Sequence, residues 1–448
     1  MVKAIDVARR KEQVNLKKKS RNLLVLLAYL FFEYVRFQDG YLSFLGPFRI
    51  PALLNLFLAG VVLVYSRELP KDRLLYFVLA FWILMLVHVP FANNNYHAFN
   101  ATKAMFLTTV VVLATTILVD TEVALKKLFE SLLYIVLLVS LWVLTHGGRG
   151  PGGYVGDEND VCLFLVVGLP FCWYFHKLTG EKQIKRWFAL GTGALAMIAI
   201  VMTSSRGGFL GLVAVVGMTL LFSRKPVKNI LLSLLLAGSL GGIAINLAPD
   251  DYVEDMSTIT DTQNSTRNLR FLHWTTAWEI FKDNPVFGVG PQNYPWTSAD
   301  YFHLSPFFEE GGRGRSGRQS HSLYFTLIPE MGVIGILTYL FLTVSFYKRG
   351  SRIRAVYKSR YSSHKSGVVL KNDKGQPGSE VTLCFVTALL VGMTGFLVAA
   401  AFVSVLYYPI FWNLIGFSIA AWWVFLKAEG STHARRGKRK AGSINGAR

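Results

Sequence analysis

The feature that most constrains this chain is a succession of apolar runs, each of roughly the 17 to 25 residues that a helix needs to cross a bilayer. Inside lipid a segment must satisfy its own backbone N–H and C=O groups, so runs of that length fold as helices. Twelve can be read, at about 22–38, 50–66, 73–91, 102–119, 127–145, 160–176, 187–203, 206–222, 229–248, 321–347, 381–403 and 407–426. With 52% of residues hydrophobic and only 17% charged, the chain departs from soluble composition. The fold expected is an all-α integral membrane protein of about 12 transmembrane helices, interrupted by one large polar insertion.

The formal charge of +20 invites a nucleic-acid reading, but its placement excludes that class. Residues 1–21 carry net +6, residues 348–379 net +8 and residues 427–448 net +6, which together account for all of it. Basic residues confined to tails and one loop mark the cytoplasmic side of a membrane protein. All five connections then placed inside hold Lys or Arg, and both termini come out cytoplasmic. The opposite connections are poor in basic residues or, as in 249–320, net acidic.

The organisation expected is a basic cytoplasmic tail at 1–21, helices 1–9 over 22–248 and a periplasmic loop at 249–320. Helices 10–12 then span 321–426 around the basic cytoplasmic loop 348–379, and a second basic tail closes the chain at 427–448. The C-terminal tail is expected to anchor at membrane lipids. In the first apolar run Glu33 and Arg36 stand at i, i+3, either neutralising each other or lying at the outer end. Cys162, Cys172 and Cys384 sit in apolar segments without metal-ligand spacing and imply no disulfide. No cleavable signal peptide is expected, since the first apolar run starts only at Leu23 and no small-residue cleavage site follows.

Few ionisable residues lie at mid-depth, which argues against an ion or proton pathway. The polar residues with chemical potential gather instead on one expected face. Arg206, in TSSRGG, offers a planar fork for phosphate from a small-residue turn, or snorkels to hold a helix end. Residues 268–283 read as an interfacial helix with Arg270, Trp274, Ala277, Trp278 and Phe281 on one face. Arg270 stands at its N-terminal end, where a helix dipole favours an anion, or else in a structural ion pair of a packed lid. His321 begins a span, where imidazolium is disfavoured, and reads as a proton acceptor or as an interface residue. Glu330 suits internal hydrogen bonding at a kink beside Pro329. Asp157, Glu158 and Asp160 could bind a cation, yet Asn159 or Asp160 as an N-cap explains the same residues. Arg313, Arg315 and Arg318 form an Arg-rich passage that can meet anionic headgroups or polysaccharide, or lie solvated.

Four ordered pieces resemble the O-antigen ligase and polymerase superfamily of bacterial membrane glycosyltransferases. They are GDEND at 156–160, SSRGG at 204–208, Arg270 followed by Trp274 and running into DNPVFGVGPQNY at 283–294, and HSLYFTLIPEMGVIG at 321–335. The resemblance implies a metal-independent inner-membrane enzyme without cofactor, its active site periplasmic, taking a glycan from undecaprenyl diphosphate. The acceptor it implies is lipid A core in ligases, another carrier-linked repeat in polymerases, or a protein hydroxyl. Arg206 and Arg270 match the arginines assigned to the donor diphosphate and His321 the histidine assigned to the acceptor, with Trp274, Asp157 and Asn159 as further substrate-binding candidates. Ser322 departs from the Asn that many members carry after that histidine. A lipid-linked oligosaccharide transporter and a purely structural scaffold are the competing classes.

Overall fold

A computed structural model of the protein describes residues 2–223, 265–309, 317–363 and 378–444, and all regular structure there is helical. The helices are α1 (Val2–Val35), α2 (Ile50–Val64), α3 (Arg73–His88), α4 (Asn95–Leu118), α5 (Glu122–Thr145), α6 (Glu158–His176), α7 (Gln183–Met202) and α8 (Arg206–Leu221). After the gap come α9 (Ser265–Asp283), α10 (Tyr294–Tyr301), α11 (Leu323–Ser363), α12 (Gly378–Ala399) and α13 (Pro409–Ile444). Their starts follow capping chemistry: Asp72, Asn94, Thr121, Asp157 and Ser205 each accept a hydrogen bond from a first-turn N–H.

Among the described residues nine helical stretches are long and apolar enough to cross a membrane. Three of the twelve expected spans are not in that set. The eighth, Arg206–Leu221, is apolar but shorter, and the ninth, at 229–248, lies outside the described residues. The first belongs to α1, which runs without a break from the Lys-rich tail into the apolar segment. Arg36 sits just past its end, in a left-handed conformation (φ 51°), and pairs with Asp39 at 2.6 Å rather than with Glu33.

Burial sorts the helices from centre to rim. The apolar windows of α12 and α13 are 78% and 83% buried against 22% for the stretch containing α2, so α12 and α13 form the axis and α2 faces outward. Phe129 meets Phe171, Phe175 and Phe385 edge-on in this core, and Tyr339 stacks on Phe411 at 4.2 Å.

The described helices alternate between two ends of unlike chemistry. One end is laced by Lys19–Asp120 at 3.0 Å, Lys185–Glu130 at 2.9 Å, Lys126–Glu181 at 2.5 Å and a bidentate Arg349–Asp72 pair with both contacts at 2.7 Å. The other end carries Asp157, Arg206, Arg270 and His321. Between α9 and α11 the chain builds a small separate core from Ala277, Ile280, Val289 and Tyr294.

Candidate functional site

Two turns come together first. Asp157 caps α6, accepting from the Asn159 N–H at 2.9 Å and the Asn159 amide at 3.1 Å; the Ser205 hydroxyl donates to the Asn159 carbonyl oxygen at 2.8 Å. Ser205 also caps α8 by accepting from the Gly208 N–H. The chain Asp157–Asn159–Ser205 therefore fixes the turn that opens on Arg206. Two positions of substrate contact expected from the sequence thus have a positioning role in hand, and Asp157 and Asn159 are engaged with each other. Ser204 takes a left-handed conformation (φ 51°) to make the turn, which costs a non-glycine residue energy and is the kind of strain that collects at functional sites.

The second pair of elements is welded by backbone. The stretch 285–290 runs antiparallel along the start of α11: the Val289 and Gly290 N–H groups donate to Pro329 and Glu330 carbonyls, and Val333 and Ile334 N–H groups donate to Pro285 and Val286. α11 can accept this strand-like neighbour because it breaks at Gly332 (φ 58°), where a Cβ would meet the Val286 carbonyl at 2.5 Å. The Glu330 carboxylate is fully buried and takes the Gln292 N–H at 2.8 Å, the Tyr294 N–H at 3.0 Å and the Tyr407 hydroxyl at 2.6 Å. The internal role expected for it at a kink is what it performs. Asn293, buried, accepts from the Asn94 N–H at 2.6 Å and ties the same body to the turn between α3 and α4.

α9 corrects one expectation. The residues placed on a single aromatic face divide among three surroundings. Its inward face is Leu272, His273, Thr276, Ala277 and Ile280, while Trp278 is 48% exposed. The cause is tertiary: residues 284–305 fold back beneath the helix and supply a partner that no periodicity announces, with Tyr294 against His273 and the Ser305 hydroxyl 2.6 Å from Thr275. Trp274 lies parallel to Phe325 at 5.1 Å and donates its indole N–H to the Ser320 carbonyl at 3.1 Å, so it holds the residue just before His321.

The three sequence-derived candidates converge on this frame. Arg270 lies with its guanidinium carbon 5.9 Å from the Phe402 ring centre. Gly207 approaches so closely that a Cβ would sit 2.7 Å from the Phe402 Cβ, which brings the start of α8 to the α12–α13 turn. Burial and then the neighbouring charge of Arg206 lower the Arg270 pKa, a mark of two cations held together. His321, also left-handed (φ 51°), is exposed by surface area, yet desolvation is the first cause lowering its pKa. The Arg270 and Arg318 cations lower it further and Asp157 acts against them. The direction stands on the cations in any case, and it leaves the imidazole neutral and able to accept a proton at pH 7. Ser320, buried beneath it, bonds to the Ser322 carbonyl and shares hydroxyl contacts with Thr326 and Ser404.

Phe402, Ser404, Tyr407 and Tyr408 of the α12–α13 turn escaped sequence reading. They form an apolar-looking connection whose polar atoms matter only where they arrive: Tyr407 on Glu330, Tyr408 at a long 3.4 Å from Asp160. Of the Arg-rich passage at 311–319, residues 311–316 with Arg313 and Arg315 lie outside the described residues, while Arg318 is described and exposed. Among the described residues no three His, Cys, Asp or Glu side chains gather to hold a metal.

A site with two adjacent guanidiniums, an aromatic wall and a neutral imidazole can bind a polyvalent anion and accept a proton from a hydroxyl beside it. No curated protein matches the chain. Residues 191–340, which hold Arg206, Arg270 and His321, match the family model described as O-Antigen ligase, so that segment of this helical membrane protein is similar to that family.

Proposed function

We propose that the protein is a metal-independent glycan ligase that transfers a glycan from undecaprenyl diphosphate to an acceptor hydroxyl, with lipid A core as the acceptor, at the periplasmic face of a bacterial inner membrane. What carries this reading is that Arg206, Arg270 and His321, from three separate elements, lie near enough for Arg206 to act on Arg270 and Arg270 on His321. The acceptor oxygen attacks the anomeric carbon and the bond to the diphosphate oxygen breaks. His321 takes the hydroxyl proton, and the charge gathering on the leaving diphosphate is met by Arg206 and Arg270. Preformed cations in a water-poor site stabilise such charge without reorganising. The ends of the described helices fit a twelve-span topology, since α8 closes at the ion-paired end and α9 opens at the other.

Purified protein in detergent, given a carrier-linked glycan and either lipid A core or a carrier-linked repeat, tests this directly. One glycan added to core is expected, insensitive to EDTA, with His321→Ala and Arg270→Ala each slower by about 10²-fold or more. A ladder still on the carrier instead assigns a polymerase, and transfer only to a protein hydroxyl assigns a protein ligase. Loss of activity in EDTA overturns metal independence and returns Asp157 and Asp160 as ligands. A chain that moves carrier-linked glycan across vesicles without transferring it is a transporter, and the ligase reading fails.

A further inference from the structure

We infer that Arg354 is the centre of a binding site for the phosphate of an anionic phospholipid at the ion-paired end of the bundle, remote from Arg206, Arg270 and His321. Arg354 is 8% exposed, the one Lys or Arg among the described residues that is buried. Its guanidinium carbon lies 3.2 Å from the ring centre of Phe222, at the end of α8, and its Nε has no hydrogen-bond partner. The contrast with its neighbours at this end is chemical. Lys19, Lys126, Lys185, Arg349 and Lys427 each have a carboxylate within ion-pair distance, and among the described residues Arg354 has none.

A buried cation without an anion is a strongly unfavourable arrangement, and a ring face or a helix C-terminus offsets only part of the penalty. Among the described residues the titratable group that bears on Arg354 is Tyr174, an ordinarily neutral phenol, which does not cancel its charge. The acid of this corner, Glu380, already accepts from the Thr179 N–H and hydroxyl and the Gly180 N–H. An anion from outside the chain completes the set.

Depth and lining select a lipid. Arg354 lies in the apolar stretch Leu323–Lys358; from the break at Gly332 its helix runs on to Lys358 for about 39 Å at 1.5 Å per residue, beyond the ~30 Å hydrocarbon core. Arg354 stands one turn from the end of that stretch, at headgroup level. Leu221, next to the Phe222 ring that carries the guanidinium, is 79% exposed, an apolar surface suited to an acyl chain below the phosphate.

The test is thermal unfolding of the full-length protein in detergent, supplemented with phosphatidylglycerol, phosphatidylcholine or inorganic phosphate. Phosphatidylglycerol is expected to raise the midpoint of wild type and of Arg352→Gln, an exposed control with the same change of charge, while Arg354→Gln loses at least half of that rise. An equal rise in Arg354→Gln overturns the site, and a rise reproduced by inorganic phosphate overturns the lipid and leaves a free-anion site. Should Arg354→Gln not fold, native mass spectrometry of wild type against Arg354→Lys decides. One phosphatidylglycerol retained per chain under conditions that strip phosphatidylcholine supports the site; equal stripping of both overturns it.

Discussion

Burial first, and then groups that three other parts of the chain deliver, set the acid–base character of His321: Arg270 from α9, Asp157 from the cap of α6 and Arg318 from the loop before it. A proton acceptor works in its neutral form, so transfer should hold at neutral pH and fall as pH drops through the lowered imidazole pKa. Removing a cation raises that pKa and removing the carboxylate lowers it. In kcat/KM profiles Arg318→Gln should therefore move the acid limb to higher pH and Asp157→Asn to lower pH, since Asn keeps the cap. Shifts in the same direction would show that the limb belongs to another group. The three lead candidates were legible because Arg and His stand out in an apolar chain and each borders a small-residue turn or a helix end. Phe402 and Ser404 were not, because an aromatic and a serine between two spans signal nothing until Arg270, Gly207 and Ser320 reach them.

Among elements, α9 and α10 show where periodicity fails. Residues 268–283 read as a helix and α9 is one, beginning at Ser265, but the face it buries was set by the returning chain and not by its aromatic stripe. α10 was not foreseen, since eight residues opening on Tyr294-Pro295 carry too little pattern to read. Glu330 is the fastening of this body. Glu330→Ala strands the buried Tyr294 N–H and Tyr407 hydroxyl, each at a cost of about 1–3 kcal/mol, and the half-buried Gln292 N–H at less. It should make residues 285–305 sensitive to proteolysis and speed amide exchange at Gln292 and Tyr294. Glu330→Gln, which keeps one acceptor oxygen, should fall between Ala and wild type. Unchanged exchange at both amides in the Ala variant would mean that the backbone ladder to α11 holds the body alone.

On the scale of the whole molecule, the opposition of an ion-paired end and an arginine–histidine end makes sidedness testable. The three native cysteines are buried, so an introduced thiol reports without background. In intact cells the exposed Arg318→Cys should label with an impermeant maleimide, and the exposed Lys182→Cys only after permeabilisation. The reverse pattern would invert the topology and with it the periplasmic site. By itself the sequence determined the helical membrane class, most span positions and the three groups offered for chemistry, because the lengths of apolar runs and the scarcity of charge within them are local properties that lipid enforces. Only the tertiary structure decided which helices are central, that Asp157 and Asn159 hold the Arg206 turn, and that Trp274 clasps the backbone before His321. Those outcomes depend on which surfaces meet across some 50 to 250 residues of chain, and no local pattern carries that information.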